Sequence, residues 1–296
     1  MSRNKRKRGR GPAFAASCSI ALLILIVGCY EPKEGCLDIS ASNFDVSADD
    51  PCPDCCTYPK LSLEVLHRVV LQDPDTTLKF SYDSLYVIPA VPDVEVRFQR
   101  VRFYLSGLKL QRGGESFGVT DSLDLRVPGV GTDSVTIAVE NNFALLDRDL
   151  PQARTLGVFR ENGQFDGLRF QIGLPPAIRS ADPASAPASH PLRVQADSLL
   201  WEDGTGYLAG KIVFFRDTLP GTDSTVVRLL EPVEVVLPLA EPVFLDEGFD
   251  VAVTLQIDYL RCFEGIDLET ADPEAIAAAL VNNLPNAFSI VDIASD

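Results

Sequence analysis

The chain carries only two histidines, His67 and His190, and a single tryptophan, Trp201. An imidazole can ligate a metal or move a proton near neutral pH. His67 stands in the run Leu66-His67-Arg68-Val69, a pattern that also fits a half-buried, hydrogen-bonded strand residue. His190 precedes Pro191, which restricts it to extended backbone. Its loop setting suits a binding residue as well as surface decoration. Trp201 reads as a core or lid aromatic. Glu202-Asp203 beside it could be acid/base groups or metal ligands, or could begin the turn that Gly204 completes. There is no His-Glu-x-x-His, Walker loop or Rossmann glycine fingerprint. A Ser-His-Asp triad would have to use one of the two histidines, and no serine stands out for it. The residues favour a binding protein over an enzyme.

Cysteines and carboxylates make the second set of reactive groups. Cys18 lies in the apolar leader, and Cys29, Cys36, Cys52, Cys55 and Cys56 crowd into 28 residues, while Cys262 stands alone. Such clustering beyond an export signal points to an oxidising compartment, with Cys36, Cys52, Cys55 and Cys56 as disulfide candidates. Cys262 is either a buried free thiol or the partner of one of them. A Cys-x-x-Cys zinc site lacks nearby histidine and fits that compartment poorly. Asp38, Asn43, Asp45, Asp49 and Asp50 are hard oxygen donors that could hold calcium, although their spacing is not that of an EF-hand loop. The bland reading is an acidic, disulfide-stapled spacer. Its Gly-Cys-x-Asp start and Asn-Phe-Asp centre resemble short Cys-rich repeats of exported proteins.

The N-terminus reads as targeting rather than fold. Residues 1–28 hold six Lys/Arg and no acid, and Ala13 to Val27 form an apolar run too short for a comfortable membrane span. Ile26-Val27-Gly28-Cys29 resembles a lipobox, in which Gly28 admits the signal peptidase and Cys29 takes the lipid. Tyr30 stands where inner-membrane retention would want Asp, so the expected place is the outer membrane, lipid-anchored, on either face. Several acyl chains on one cysteine hold far better than one. Without residues 1–28 the chain has 20 basic and 42 acidic residues, a net of −22. That field repels nucleic acid and excludes it as a partner.

These groups need a scaffold, and the periodicity supplies a β one. Leu61, Leu63 and Val65 alternate with polar residues, and the run continues to Leu71. Further strands are expected at 78–88, 94–105, 117–127, 134–140, 164–173, 208–215, 226–239 and 251–259. The apolar set jumps from Val94, Val96 and Phe98 to Val101, Phe103 and Leu105, which predicts a bulge near Gln99–Arg100. The Pro-rich stretch Pro175 to Pro191 is long enough for a functional loop. Asp272 to Leu284 reads helical, with Pro273 in the first turn and Ile276, Leu280 and Leu284 on one face. The expected fold is all-β: an antiparallel β-sandwich with one short C-terminal helix, after a disordered lipoprotein leader and a small Cys-rich module. The expected division is 1–28 signal peptide, 29–59 tether and module, 60–296 sandwich.

Five segments in order resemble the MbnP-like domain family, over about residues 61–292. They are Arg102-Phe103-Tyr104-Leu105-Ser106-Gly107-Leu108-Lys109-Leu110; Phe143-Ala144-Leu145-Leu146-Asp147; Phe165 through Pro175; His190-Pro191-Leu192 with Trp201 and Gly206-Tyr207; and Phe263-Glu264-Gly265-Ile266-Asp267. The resemblance implies an extracytoplasmic sandwich that binds copper through histidines and a tryptophan oxidised to kynurenine, with a di-haem peroxidase-type cytochrome as partner. His67 and His190 would be the copper ligands and Trp201 the modified or site aromatic. The chain departs from the pattern at Phe214-Phe215-Arg216-Asp217, where a further His-x-Gly would stand.

Overall fold

The computed structural model describes residues 30–71, 76–88, 95–131, 133–151, 153–193, 200–216 and 223–295. The leader and the lipidation candidate Cys29 lie outside them. The longer strands are β1 (Lys60–Val70), β2 (Glu95–Arg112), β3 (Ser122–Pro128), β4 (Ser134–Glu140), β5 (Phe143–Leu146), β6 (Ala153–Val158), β7 (Gly163–Ile172), β8 (Gly210–Phe215), β9 (Thr225–Leu229), β10 (Val233–Leu245), β11 (Val251–Asp258) and β12 (Phe288–Ser295). Two helices, α1 (Tyr259–Cys262) and α2 (Pro273–Ala287), connect β11 to β12.

Alternation decides the layers. Leu61, Leu63, Val65, His67 and Val69 of β1 are buried, while the residues between them are partly exposed. A strand with one buried face must lie on a second layer. The larger sheet runs β9-β8-β2-β7-β10, with β5 also paired to β2. The smaller runs β6-β1-β11-β12. The sandwich between them is filled by rings such as Phe80, Phe98, Phe103, Phe170 and Phe214 with the aliphatic residues of β1 and β11. Among the described residues all pairings in both sheets are antiparallel except one: β1 and β11 run parallel, Leu61 beside Val251 through Arg68 beside Asp258.

The predicted bulge is present. Val213 of β8 faces Arg100 and Phe214 faces Phe98, so Gln99 is the extra residue. A second break lies at Gly107, where φ is +63° and the pairing steps from Lys109–Arg169 to Ser106–Gln171. These breaks let one 18-residue strand bury Phe98, Phe103 and Leu108 on a continuous interior although their spacing is not period two.

Other expectations need correction. The single strand expected over 78–88 is two short ones, Thr77–Lys79 and Tyr86–Val87, because Phe80 turns inward and Tyr86 donates its hydroxyl to the Ser81 carbonyl. The 226–239 run divides around Leu230–Pro232 into β9 and β10. Helix α2 starts as expected, with Asp272 accepting from the Ala275 amide at 2.7 Å, but runs on past Pro285. The strand that follows, β12, was hidden by a bulge: Thr254 pairs with Asp292 and Leu255 with Ile290, which leaves Val291 exposed.

A second apolar layer covers the outer face of the larger sheet. Tyr104 of β2 and Phe143 and Leu145 of β5 point outward there, opposite to Phe103, Ala144 and Leu146. The β3–β4 hairpin and the Pro-rich stretch close over them through Leu125, Ile178 and Leu192.

Candidate functional site

Where this cover meets the smaller sheet there is a cleft of about 400 Å³. Its floor is Leu63 and Val65 of β1 with Leu146 and Leu150, and its rim carries Arg154 and His190. The proline before Leu192 and the packing of Leu192 itself hold the rim in place. Tyr104 donates its hydroxyl to the Pro191 carbonyl at 3.2 Å, and Tyr207 donates to the Leu192 carbonyl. Two buried phenols therefore stake the His190-Pro191-Leu192 run, as buried tyrosines need a polar partner.

His190 is fixed in one tautomer. The Leu192 amide donates to Nδ1 at 3.2 Å, so Nε2 carries the proton and donates to Asn141 Oδ1 at 2.9 Å. Its ring stands edge-on to Phe143, centroids 5.8 Å apart. Burial, and then the Arg154 charge, push its pKa down to about 4, so the ring is neutral at pH 7.

His67 lies two residues beyond Val65 on the same face of β1, inside the sandwich. Its Nδ1 is 2.7 Å from the Tyr259 hydroxyl, and the two rings stack at 5.8 Å. Burial pushes its pKa down to about 4 as well. Trp201 sits in the outer layer, edge-on to Tyr207 at 4.9 Å. The fold thus places His67 on one side of the larger sheet and Trp201 on the other. A copper centre needs imidazole lone pairs directed at one point. Both His190 nitrogens are engaged, His67 Nδ1 is held by Tyr259, and no three His, Cys, Asp or Glu side chains converge among the described residues. His67 and His190, as placed, do not fit such a centre.

Glu202 is the turn residue rather than a reactive one: it binds Arg228 at 2.8 Å and Lys211 at 3.3 Å. The turn beyond it depends on Gly206, with φ +85°, where an added Cβ would lie 2.3 Å from the Arg179 carbonyl oxygen. Gly206→Ala should therefore lower stability by at least about 1–2 kcal/mol from the left-handed backbone alone. Urea denaturation checks this, and an unchanged midpoint would contradict it.

In the module, the donors considered for calcium are spent locally. Asp38 accepts from Ser40 and from Tyr58 at 3.0 Å, Asp45 pairs with Lys33 at 2.6 Å, Asn43 bridges Cys55 and Thr57, and Asp49 accepts from the Lys33 amide. They do not surround one point. Cys36 and Cys56 form a disulfide; Cys52, half-buried, and Cys55, exposed, are free thiols, and Cys262 is a buried one.

Two residues emerge that the sequence did not single out by role. Asp147 is buried and accepts from Arg102, from Arg100 at 3.1 Å and from Tyr82 at 3.3 Å. Burial pushes its carboxyl up, but Arg102, the Asp149 amide and Arg100 outweigh burial and hold it below the ordinary carboxylate range. Arg154 was missed because no strand was expected between 140 and 164, where β6 lies. The run Gly114-Glu115-Ser116-Phe117-Gly118 spells a Gly-x-Ser-x-Gly elbow, but it lies in a hairpin from β2 into the short strand Glu115–Phe117, not at a strand-to-helix turn.

The family model for MbnP matches residues 59–279. Comparison with curated proteins gives no match. Among solved structures, MbnP from Methylosinus trichosporium is similar at 12% identity, covering 79% of this chain and 97% of that one, with a TM-score of 0.43. The matched span runs from the start of β1 into α2, and so takes in the larger sheet, the smaller sheet except β12, the staked His190-Pro191-Leu192 run and the cleft. This chain belongs to the MbnP family.

Proposed function

We propose that the chain is an exported, lipid-anchored binding protein that works through the cleft beside His190. The cleft itself carries the reading: an apolar floor joined to a few placed polar groups is the usual form of a small-ligand site. Export is supported by the Cys36–Cys56 disulfide, which suits an oxidising compartment. The lipobox at Cys29 and the basic leader support anchoring, with the acidic module as spacer and the outer membrane as the place. Full-length protein should bind the neutral fluorophore N-phenyl-1-naphthylamine with a rise in emission. Ser189→Trp, at the exposed rim, should block the mouth and abolish that rise without changing Tm. An unaltered signal in Ser189→Trp would place the binding elsewhere and overturn the reading.

Copper handling, with a di-haem cytochrome acting on Trp201, is the second reading. It is favoured by family membership and by two imidazoles that are neutral, hence ligating, at pH 7. It requires both rings to leave their present partners. Stoichiometric copper that is lost in a His67→Ala/His190→Ala double variant would carry this reading instead, and intact mass would show whether Trp201 is oxidised.

A further inference from the structure

We propose that the cleft is an anion site in which Arg154 anchors a small carboxylate with an apolar tail. The inference rests on the reading of the cleft as the binding site. Arg154 pairs in register with Leu63 across β6 and β1, so its side chain leaves the sheet on the same inner face as Leu63. It lines the cleft together with Leu63, Val65, Leu146 and Leu150. Six other arginines have a carboxylate partner: Arg100 and Arg102 on Asp147, Arg126 on Asp182, Arg169 on Glu234, Arg179 on Glu231 and Arg228 on Glu202. No Asp or Glu lines the cleft, and among the described residues no hydrogen bond or ion pair holds the Arg154 guanidinium. Burial without a counter-charge destabilises its charged form, which is why its pKa falls from the ordinary arginine value.

A half-buried cation with no partner is costly in a folded protein unless something supplies the missing charge. In a chain with 42 acidic residues, a carboxylate neighbour could readily have been provided from within. A ligand carboxylate would supply it as a charge-assisted, two-pronged pair, the geometry for which guanidinium is suited. The floor then selects the rest of the molecule. Leu63, Val65, Leu146 and Leu150 offer no polar side chain, so the tail must be hydrocarbon. A volume of about 400 Å³ limits it to a short one. His190, neutral and already tied at both nitrogens, contributes a wall rather than a second charge.

The test uses full-length protein with N-phenyl-1-naphthylamine in the cleft and two matched competitors, octanoate and octanamide. Octanoate should displace the probe at a concentration about tenfold or more below that of octanamide. Arg154→Met should erase that advantage, weakening octanoate far more than octanamide, while Arg154→Lys should retain part of it. Equal displacement by the two competitors in the unmodified protein would overturn the anion inference and leave the cleft reading standing. Failure of the probe to bind at all would remove both. β6 is an edge strand, and an inward charge there also discourages edge-to-edge association. If Arg154→Gln aggregates while octanoate and octanamide compete equally in the unmodified protein, edge protection is the role of Arg154 and the anion inference falls.

Discussion

Asp147→Ala should destabilise the fold by about 3–5 kcal/mol, the scale for breaking a buried ion pair from one side. The reason lies in what remains. Arg102 is 7% exposed, and Asp147 is the carboxylate at its Nε. Removing that carboxylate takes it from the Arg102 guanidinium in the interior, and Arg100 and the Tyr82 hydroxyl each lose an acceptor as well. Asp147→Asn keeps the shape and one acceptor oxygen but not the charge, and should fall between the two proteins. Chemical denaturation of the three gives the order. An Asp147→Ala protein as stable as the parent would show that Asp147 has no such anchoring role. The acid dependence follows with its own sign. The folded carboxyl titrates below its unfolded counterpart, so its contribution is complete above about pH 4 and is lost as pH falls through the lower, folded value.

The histidines act in a higher window. Both are held neutral, with folded pKa values pushed down to about 4, against an ordinary value near 6.5. Between these values the unfolded chain binds protons that the folded one does not, so stability rises with pH there and is lost on acidification. Above about pH 6.5 the curve should be flat in these groups. The gap between 6.5 and 4 corresponds to roughly 3 kcal/mol for His67, which is 3% exposed. His190, only partly buried, contributes less. His67→Gln keeps a hydrogen-bonding partner for Tyr259 and should flatten most of the slope. Thermal melts from pH 7.5 to 4.5 decide the matter, and a level profile in the parent protein would refute it.

Much of the sandwich was legible because the period-two pattern of β1, β8 and β11 is uninterrupted. The Gln99 bulge was readable for the same reason: a change of phase in a clear pattern has few other causes. The failures have physical origins too. Phe80 and Tyr86 belong to different short strands, yet both are buried, so hydrophobicity alone joined them. β12 carries its own bulge, and β6 is an edge strand in which only Leu156 of the six residues is fully buried, which left no clean alternation. The site divided in the same way. His190-Pro191-Leu192 was visible as a rare-residue run, but its two tyrosine stakes come from β2 and from Gly206–Tyr207, and no local spacing records such a contact. His67 and Trp201 were placed in one hypothetical centre by the family resemblance, not by any spacing in the chain. The larger sheet separates them.

The parallel partnership of β1 and β11 has a consequence for how the chain acquires this structure. The Lys60 amide is held by Asp250, 190 residues away, and the whole ladder joins the first sandwich strand to one of the last. Such distant pairings raise contact order and slow folding toward the millisecond-to-second range. Until β11 arrives, β1 has an open edge beside its partner β6, and the smaller sheet cannot be completed. A chain emerging from its N-terminus would therefore carry the N-terminal end of the domain unfinished until nearly all of it had appeared, so closure of the sandwich is a late, whole-chain event rather than a stepwise one.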